Sequence, residues 1–184
     1  MKIAIIIGST RPGRVGKKVA KWYLEQVSAI KAAEFEIVDI NDQNLPLLDE
    51  PIPPAAGKYQ NDHTKKWSEV ISSYDAYVWV TAEYNHGVPG ALKNAIDYLY
   101  NEWVKKPVAI VSYGSAGGVR AAEHLRQIAG ELQMADIRPT IMIRQPWDMV
   151  DENDAIKPEL ISGDPKAQAE DLIWWASALK NAKL

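Results

Sequence analysis

The 184-residue chain has no cysteine, which removes disulfides, thiolate catalysis and cysteine–zinc sites together and fits a reducing compartment. It has no strong excess of charge: 21 Lys and Arg against 24 Asp and Glu leave a formal −3, so nothing recommends a nucleic-acid or anionic-membrane partner. No apolar run approaches the length of a membrane span. The apolar residues after Met1-Lys2 are too few for a secretory core and run straight into Gly8-Ser9-Thr10-Arg11. His63 and His124 show no metal-ligand spacing, and His86 stands alone in a loop. Internal repeats and low-complexity tracts are absent. A cytoplasmic protein with one domain over residues 1–184, large enough to bury a core, is the expectation.

What is present is a repeated alternation of apolar runs and helical stripes. Ile3-Ala4-Ile5-Ile6-Ile7 reads as a buried parallel strand. Val15, Val19, Trp22, Tyr23, Val27 and Ile30 then recur at helical spacing, with lysines mostly on the other face. Residues 35–40 read as an edge strand, and 41–61 as a long, proline-rich folded loop. A helix is expected over 62–73, burying Trp67, Val70 and Ile71, and a buried strand over 76–81. Pro89 opens a further helix with Leu92, Ala95, Ile96, Leu99 and Trp103 inside. A fourth strand spans 107–112, and a helix with Val119, Ala122, Leu125, Ala129 and Leu132 as its inner stripe follows. Residues 140–143 read as a short fifth strand, with Pro139 at its start suiting an edge. Residues 144–165 read as irregular, and a last helix from about Lys166 buries Leu172, Ile173, Ala176 and Leu179. Trp174 and Trp175 are adjacent in that helix and cannot both face one core.

This order predicts an α/β three-layer doubly wound sandwich: a five-stranded parallel sheet in the order 2-1-3-4-5. Ligands then sit where the winding reverses, at the carboxyl ends of strands one and three, and strand four beside them opens its loop into the same crevice. The loops there begin at Gly8, Ala82 and Tyr113. Gly8-Ser9-Thr10-Arg11-Pro12-Gly13-Arg14-Val15-Gly16 joins a strand to a helix start, where unpaired N–H groups and the helix dipole favour an anion. Gly8 and Gly13 have Walker A spacing, but Arg14-Val15 replace the lysine and hydroxyl that a nucleoside triphosphate and magnesium require. No Gly-x-Gly-x-x-Gly follows the strand, so a dinucleotide fingerprint is absent. A terminal monophosphate fits what remains. The second and third loops offer backbone donors, Tyr84, Asn85 and Tyr113, with glycines that let a flat ring lie on the main chain. Amides near Gly117 and Gly118, at a helix start, favour a ring that becomes anionic on reduction. Phosphate at one end and a planar redox ring at the other describe FMN.

These residues resemble the NAD(P)H-dependent FMN reductases of the flavodoxin-like proteins, a family that includes quinone, azo-dye and chromate reductases. The likeness rests on Gly8–Arg14, on Glu83-Tyr84-Asn85 with Gly87-Val88-Pro89-Gly90-Ala91-Leu92-Lys93-Asn94-Ala95-Ile96-Asp97 behind it, and on Tyr113-Gly114-Ser115-Ala116-Gly117-Gly118. It implies that Ser9, Arg11 and Arg14, with the amides at Val15 and Gly16, hold the FMN phosphate. It places Ala82, Glu83, Tyr84, Asn85 and Gly87 along the isoalloxazine, and Ser112, Tyr113, Gly114, Gly117 and Gly118 on its pyrimidine side. Ala82 stands where the family commonly has proline, which frees φ and adds an N–H donor. The resemblance implies hydride transfer from NADPH or NADH to a small-molecule electron acceptor, with no catalytic acid or base and no metal, in a homodimer or homotetramer. Glu83 is expected to lend its backbone and to pair its carboxylate with a neighbouring subunit. Two other readings stay open at this point. One is an FMN electron carrier or redox-sensing flavoprotein without steady reductase activity, and such carriers are more acidic than this chain. The other is a flavin-free signalling or phosphate-binding module, which as a phosphoacceptor would carry aspartates where Gly8-Ser9-Thr10 stands.

Overall fold

A computed structural model describes residues 1–151 and 156–182. Its sheet runs β2-β1-β3-β4-β5-β6, with the first five strands parallel and β6 antiparallel at the edge. The strands are β1 (Lys2–Ile7), β2 (Glu34–Asp39), β3 (Ala76–Ala82), β4 (Pro107–Gly114), β5 (Ala135–Arg144) and β6 (Ile161–Ser162). The helices are α1 (Gly16–Val27), α2 (Asp62–Ser72), α3 (Gly90–Asp97), α4 (Val119–Glu131) and α5 (Pro165–Asn181). The order 2-1-3-4-5 holds, and β6 is an addition to it. β6 is too short to leave a pattern in sequence; it exists because Met142 and Ile143 of β5 pair with Ser162 and Ile161.

β1, β3 and β4 are buried along almost their whole length, which explains their unbroken apolar sequence. Alternate residues face opposite layers. Ile3, Ile5 and Ile7 pack with Val19, Tyr23 and Leu172 under α1 and α5. Ala4 and Ile6 pack with Trp67, Trp79, Leu92 and Leu125 under α2, α3 and α4. Each fully buried isoleucine, leucine or valine side chain contributes about 1.5–3 kcal/mol.

Three local expectations change. α3 stops at Asp97 rather than running on to Trp103. Its terminal carbonyls need partners, and the indoles of Trp67 and Trp103 supply them at Ala95 (2.8 Å) and Ile96 (3.2 Å). Leu99 and Trp103 are buried from the turns that follow. β5 begins at Ala135, so Pro139 lies inside it, beside a register shift between Val108 and Ile110 of β4. A bulge tolerates the missing donor, and Gln168, wholly buried on α5, donates to the carbonyls of Ile110 and Pro139 there. In α4 the inner stripe uses Ala121 with Ala122, Leu125 and Ala129, while Val119 is exposed. Trp174 and Trp175 are both exposed and meet edge to face at 5.3 Å. No helix among the described residues is long and apolar enough to cross a membrane.

Candidate active site

The first loop leaves β1 at Gly8, whose N–H donates to Val80 of β3 at 2.9 Å. A Cβ at Gly8 would lie 2.7 Å from Leu92 and 3.0 Å from the Val80 carbonyl, so only glycine fits this crossing. Ser9 is fully buried and its hydroxyl meets that of Tyr84 at 2.7 Å, tying the first loop to the second. The Arg11 carbonyl accepts from the Arg14 N–H, closing a turn around Gly13. α1 then starts with no side-chain cap and no acid in its first turn, so its positive end is left for another anion. Arg11 is exposed beside it. Arg14 is not: its Nη2 pairs with Asp39 Oδ2 at 2.6 Å, both side chains being nine-tenths buried, and Lys17 reaches the same oxygen at 3.3 Å. Asp39 ends β2 directly beside Ile7 in the β1–β2 register.

The second loop is a two-residue reverse turn. Tyr84 and Gly87 exchange both main-chain hydrogen bonds, and Asn85 and His86 take φ of +49° and +65°. That is the conformation of a type I′ turn, which asparagine tolerates well. Tyr84 is thereby presented half-exposed at the rim. Glu83 turns the other way: its carboxylate accepts from the N–H groups of Arg120 (2.9 Å) and Ala121 (3.4 Å) and pairs with the Arg120 guanidinium (2.8 Å). The partner is thus in the same chain, a correction to the expected intersubunit pair. The amides it binds, at Arg120 and Ala121, lie in the same α4 start that is expected, near Gly117 and Gly118, to favour a reduced ring. Burial alone would raise the Glu83 pKa, but these hydrogen bonds and the Arg120 charge win and hold it below the ordinary carboxylate value. A depressed carboxylate stabilises the fold fully above its unfolded pKa and ceases to do so as pH falls through its folded pKa. Glu83→Gln is therefore expected to flatten the acid limb of a thermal-midpoint-against-pH curve and to cost about 1 kcal/mol at pH 7. An acid limb identical to the wild type's would refute the capping role.

The third loop is held from beneath. The Ser112 hydroxyl donates to the Gly117 carbonyl at 2.7 Å, and the Gly117 N–H donates to Gly114. Gly118 follows with φ +74°. Tyr113 carries a buried hydroxyl with no hydrogen-bond partner among the described residues, as does Arg14 at Nε. Burial, with the Tyr84 phenol adding, pushes the Tyr113 phenol far above its ordinary value; it remains a neutral donor at physiological pH. Gly16 makes room for it, since a Cβ there would lie 2.9 Å from the Tyr113 oxygen.

The three loops open into one cleft of about 160 Å³. Arg11 and Val15 line it from the first loop, Ala82, Glu83 and Tyr84 from the second, and Tyr113 and Gly114 from the third. Ser9, Arg14, Gly16, Ser112, Gly117 and Gly118 stand behind these as supports, and Asn85 and Gly87 shape the turn that carries Tyr84. Pro146 and Trp147, after β5, complete the walls. Sequence reasoning missed them, although the strand order itself puts the loop after strand five beside the loop after strand four. A larger hollow of about 520 Å³ lies between α1 and residues 156–165, but none of the three loops reaches it.

An uncapped helix start with an arginine beside it, a buried phenol lacking a partner and an aromatic-walled cleft fit a phosphate-bearing planar cofactor. The fold is that of a flavodoxin-like α/β protein, and the three-loop cleft lies at its switch point. The family model described as NADPH-dependent FMN reductase matches residues 1–148, and the chain belongs to that family. It is 43% identical over 145 residues to NAD(P)H-dependent FMN reductase ntnL of Nectria sp, spanning 76% of this chain and 72% of that one. It is 33% identical over 171 residues to NAD(P)H-dependent FMN reductase LOT6 of Saccharomyces cerevisiae, spanning 87% and 89%. A quinone reductase of Pseudomonas putida is 38% identical over 132 residues, spanning 68% and 67%. Among solved structures, the flavoenzyme NAD(P)H:(acceptor) oxidoreductase FerB of Paracoccus denitrificans shares the fold, with TM-score 0.69 and 22% identity over 97% of this chain and 94% of that one. The protein is an NAD(P)H-dependent FMN oxidoreductase.

Proposed function

We propose that the chain holds FMN across this cleft and passes reducing equivalents from NADPH or NADH to a quinone, an azo compound, an oxidised metal ion or free flavin. The observation that carries the reading is the meeting of Arg11, Tyr84 and Tyr113, from three separate loops, around one cleft. Arg11, exposed at the uncapped start of α1, and the amides at Val15 and Gly16 hold the phosphate, while Ser9 and Arg14 fix the loop from behind through Tyr84 and Asp39. Ala82, Glu83 and Tyr84 border the ring on one side, on a turn shaped by Asn85 and Gly87, and Tyr113 and Gly114 border it on the other, held from beneath by Ser112, Gly117 and Gly118. When bound, FMN would supply the hydride chemistry, and with one cleft to serve both, reductant and acceptor would enter in turn, giving ping-pong kinetics. The protein's own part is to bind, orient and exclude water. Val15, Ala82 and Pro146 give apolar walls, the Tyr113 hydroxyl donates as a neutral phenol, and no side chain is required to move a proton. The working form is a cytoplasmic homodimer or homotetramer acting on small molecules.

The test has two parts. FMN titrated into purified protein is expected to bind, with Arg11→Ala weakening it on the order of 10-fold through loss of a charged phosphate contact. Initial rates with NADPH and a quinone are expected to give parallel double-reciprocal lines. Intersecting lines would overturn the ping-pong order, and absence of steady NAD(P)H oxidation with bound FMN would leave an electron carrier.

A further inference from the structure

The loop after β5 is built as deliberately as the three before it. Gln145 takes φ +49°, its N–H donates to the Gly114 carbonyl at 3.1 Å, and its own carbonyl accepts from Asp148 at 2.9 Å. This turn is pinned to the third loop and presents Trp147 near its tip. The indole is 67% exposed, yet it borders the same cleft as Ala82, Tyr84 and Tyr113. It belongs to neither buried core cluster. A large aromatic left in water at the mouth of an aromatic-walled cleft, on a fixed turn, is a contact surface for whatever fills the cleft.

We propose that Trp147 is a flavin-contacting residue, its indole packing against the planar ring of bound FMN from the side of the β5 loop. The inference rests on the FMN reading above and adds to it a wall from a fourth loop. The ring would lie on the second and third loops, and the turn that carries Trp147 hangs from Gly114 of the third. A ligand seated on those loops therefore meets the indole before it meets solvent. Aromatic contact of this kind corresponds to roughly 3- to 10-fold in affinity.

Fluorescence titration of FMN into wild type, Trp147→Ala and Trp147→Phe tests this. Trp147→Ala is expected to raise the FMN dissociation constant roughly 3- to 10-fold and to leave bound flavin brighter, because an adjacent indole quenches it. Trp147→Phe is expected to keep most of the affinity while losing the quenching. The thermal midpoint without FMN is expected to stay put, since the side chain is outside both cores. Unchanged affinity and brightness in Trp147→Ala would overturn the proposal. So would a raised acceptor KM with unchanged FMN affinity, which would assign the indole to the acceptor instead. Failure of the wild type to take up FMN would defeat the underlying reading, a result distinct from either.

Discussion

Gly118→Ala is expected to destabilise the protein by about 2–5 kcal/mol and to abolish flavin uptake with it. Two costs combine. Gly118 sits at φ +74°, where an L side chain is strained. A Cβ there would also lie 2.8 Å from the Tyr113 nitrogen, 2.9 Å from Ser112 Cβ and 3.0 Å from the Tyr113 oxygen. Those atoms are the end of a central strand, not the tip of a flexible side chain, and the same Tyr113 oxygen accepts from Glu83 at 3.0 Å. Relief of the overlap must push β4 away from the second loop, so the cleft opens as the fold weakens. Gly130→Ala provides the opposite sign. It lies in α4 with nothing within 4 Å of the new Cβ, so alanine is expected to add up to about 1 kcal/mol. Denaturant midpoints and FMN titrations on both variants decide the matter. A Gly118→Ala midpoint within error of the wild type would refute the steric account.

The contrast between these two glycines shows what the sequence made legible. The run Ile3–Ile7 identifies a strand buried on both faces because both neighbouring layers demand apolar residues, and the structure divides them by alternation between two cores. Helical periodicity identified α3 but not its end. The stripe continues to Trp103, and only the structure shows the chain turning after Asp97, with the indoles of Trp67 and of Trp103 itself satisfying the end carbonyls at Ala95 and Ile96. β6 and the bulge beside Pro139 are set by pairing partners, not by their own residues. At the site the same division holds. Glycine, hydroxyl and arginine at a strand–helix junction are local signals, and they were readable. The destination of each charge was not. Glu83 meets an arginine 37 residues away, and Arg14 meets an aspartate 25 residues away. Both depend on which strands lie side by side, and Trp147 reaches the cleft for the same reason.

The Arg14–Asp39 pair leads to the second large effect. Asp39→Ala leaves a guanidinium nine-tenths buried, with the Lys17 ammonium, a like charge, on the side the carboxylate vacated. Removing one partner of a buried pair costs about 3–5 kcal/mol, mostly for the charge left behind. The turn after β2 also loses its cap, because Asp39 Oδ1 accepts from the Asn41 N–H at 3.1 Å. Asp39→Asn keeps an acceptor in place and is expected to cost less. The double variant Arg14→Ala with Asp39→Ala is expected to be more stable than Asp39→Ala alone, since no unpaired charge remains. If Arg14 also serves the FMN phosphate, saturating FMN supplies the missing counter-charge and raises the thermal midpoint more in Asp39→Ala than in the wild type. An equal shift in the two would confine Arg14 to holding β2 against the first loop. A double variant less stable than Asp39→Ala would show that Arg14 stabilises the fold through contacts other than this pair, such as packing of its stem, and that its unpaired charge costs little.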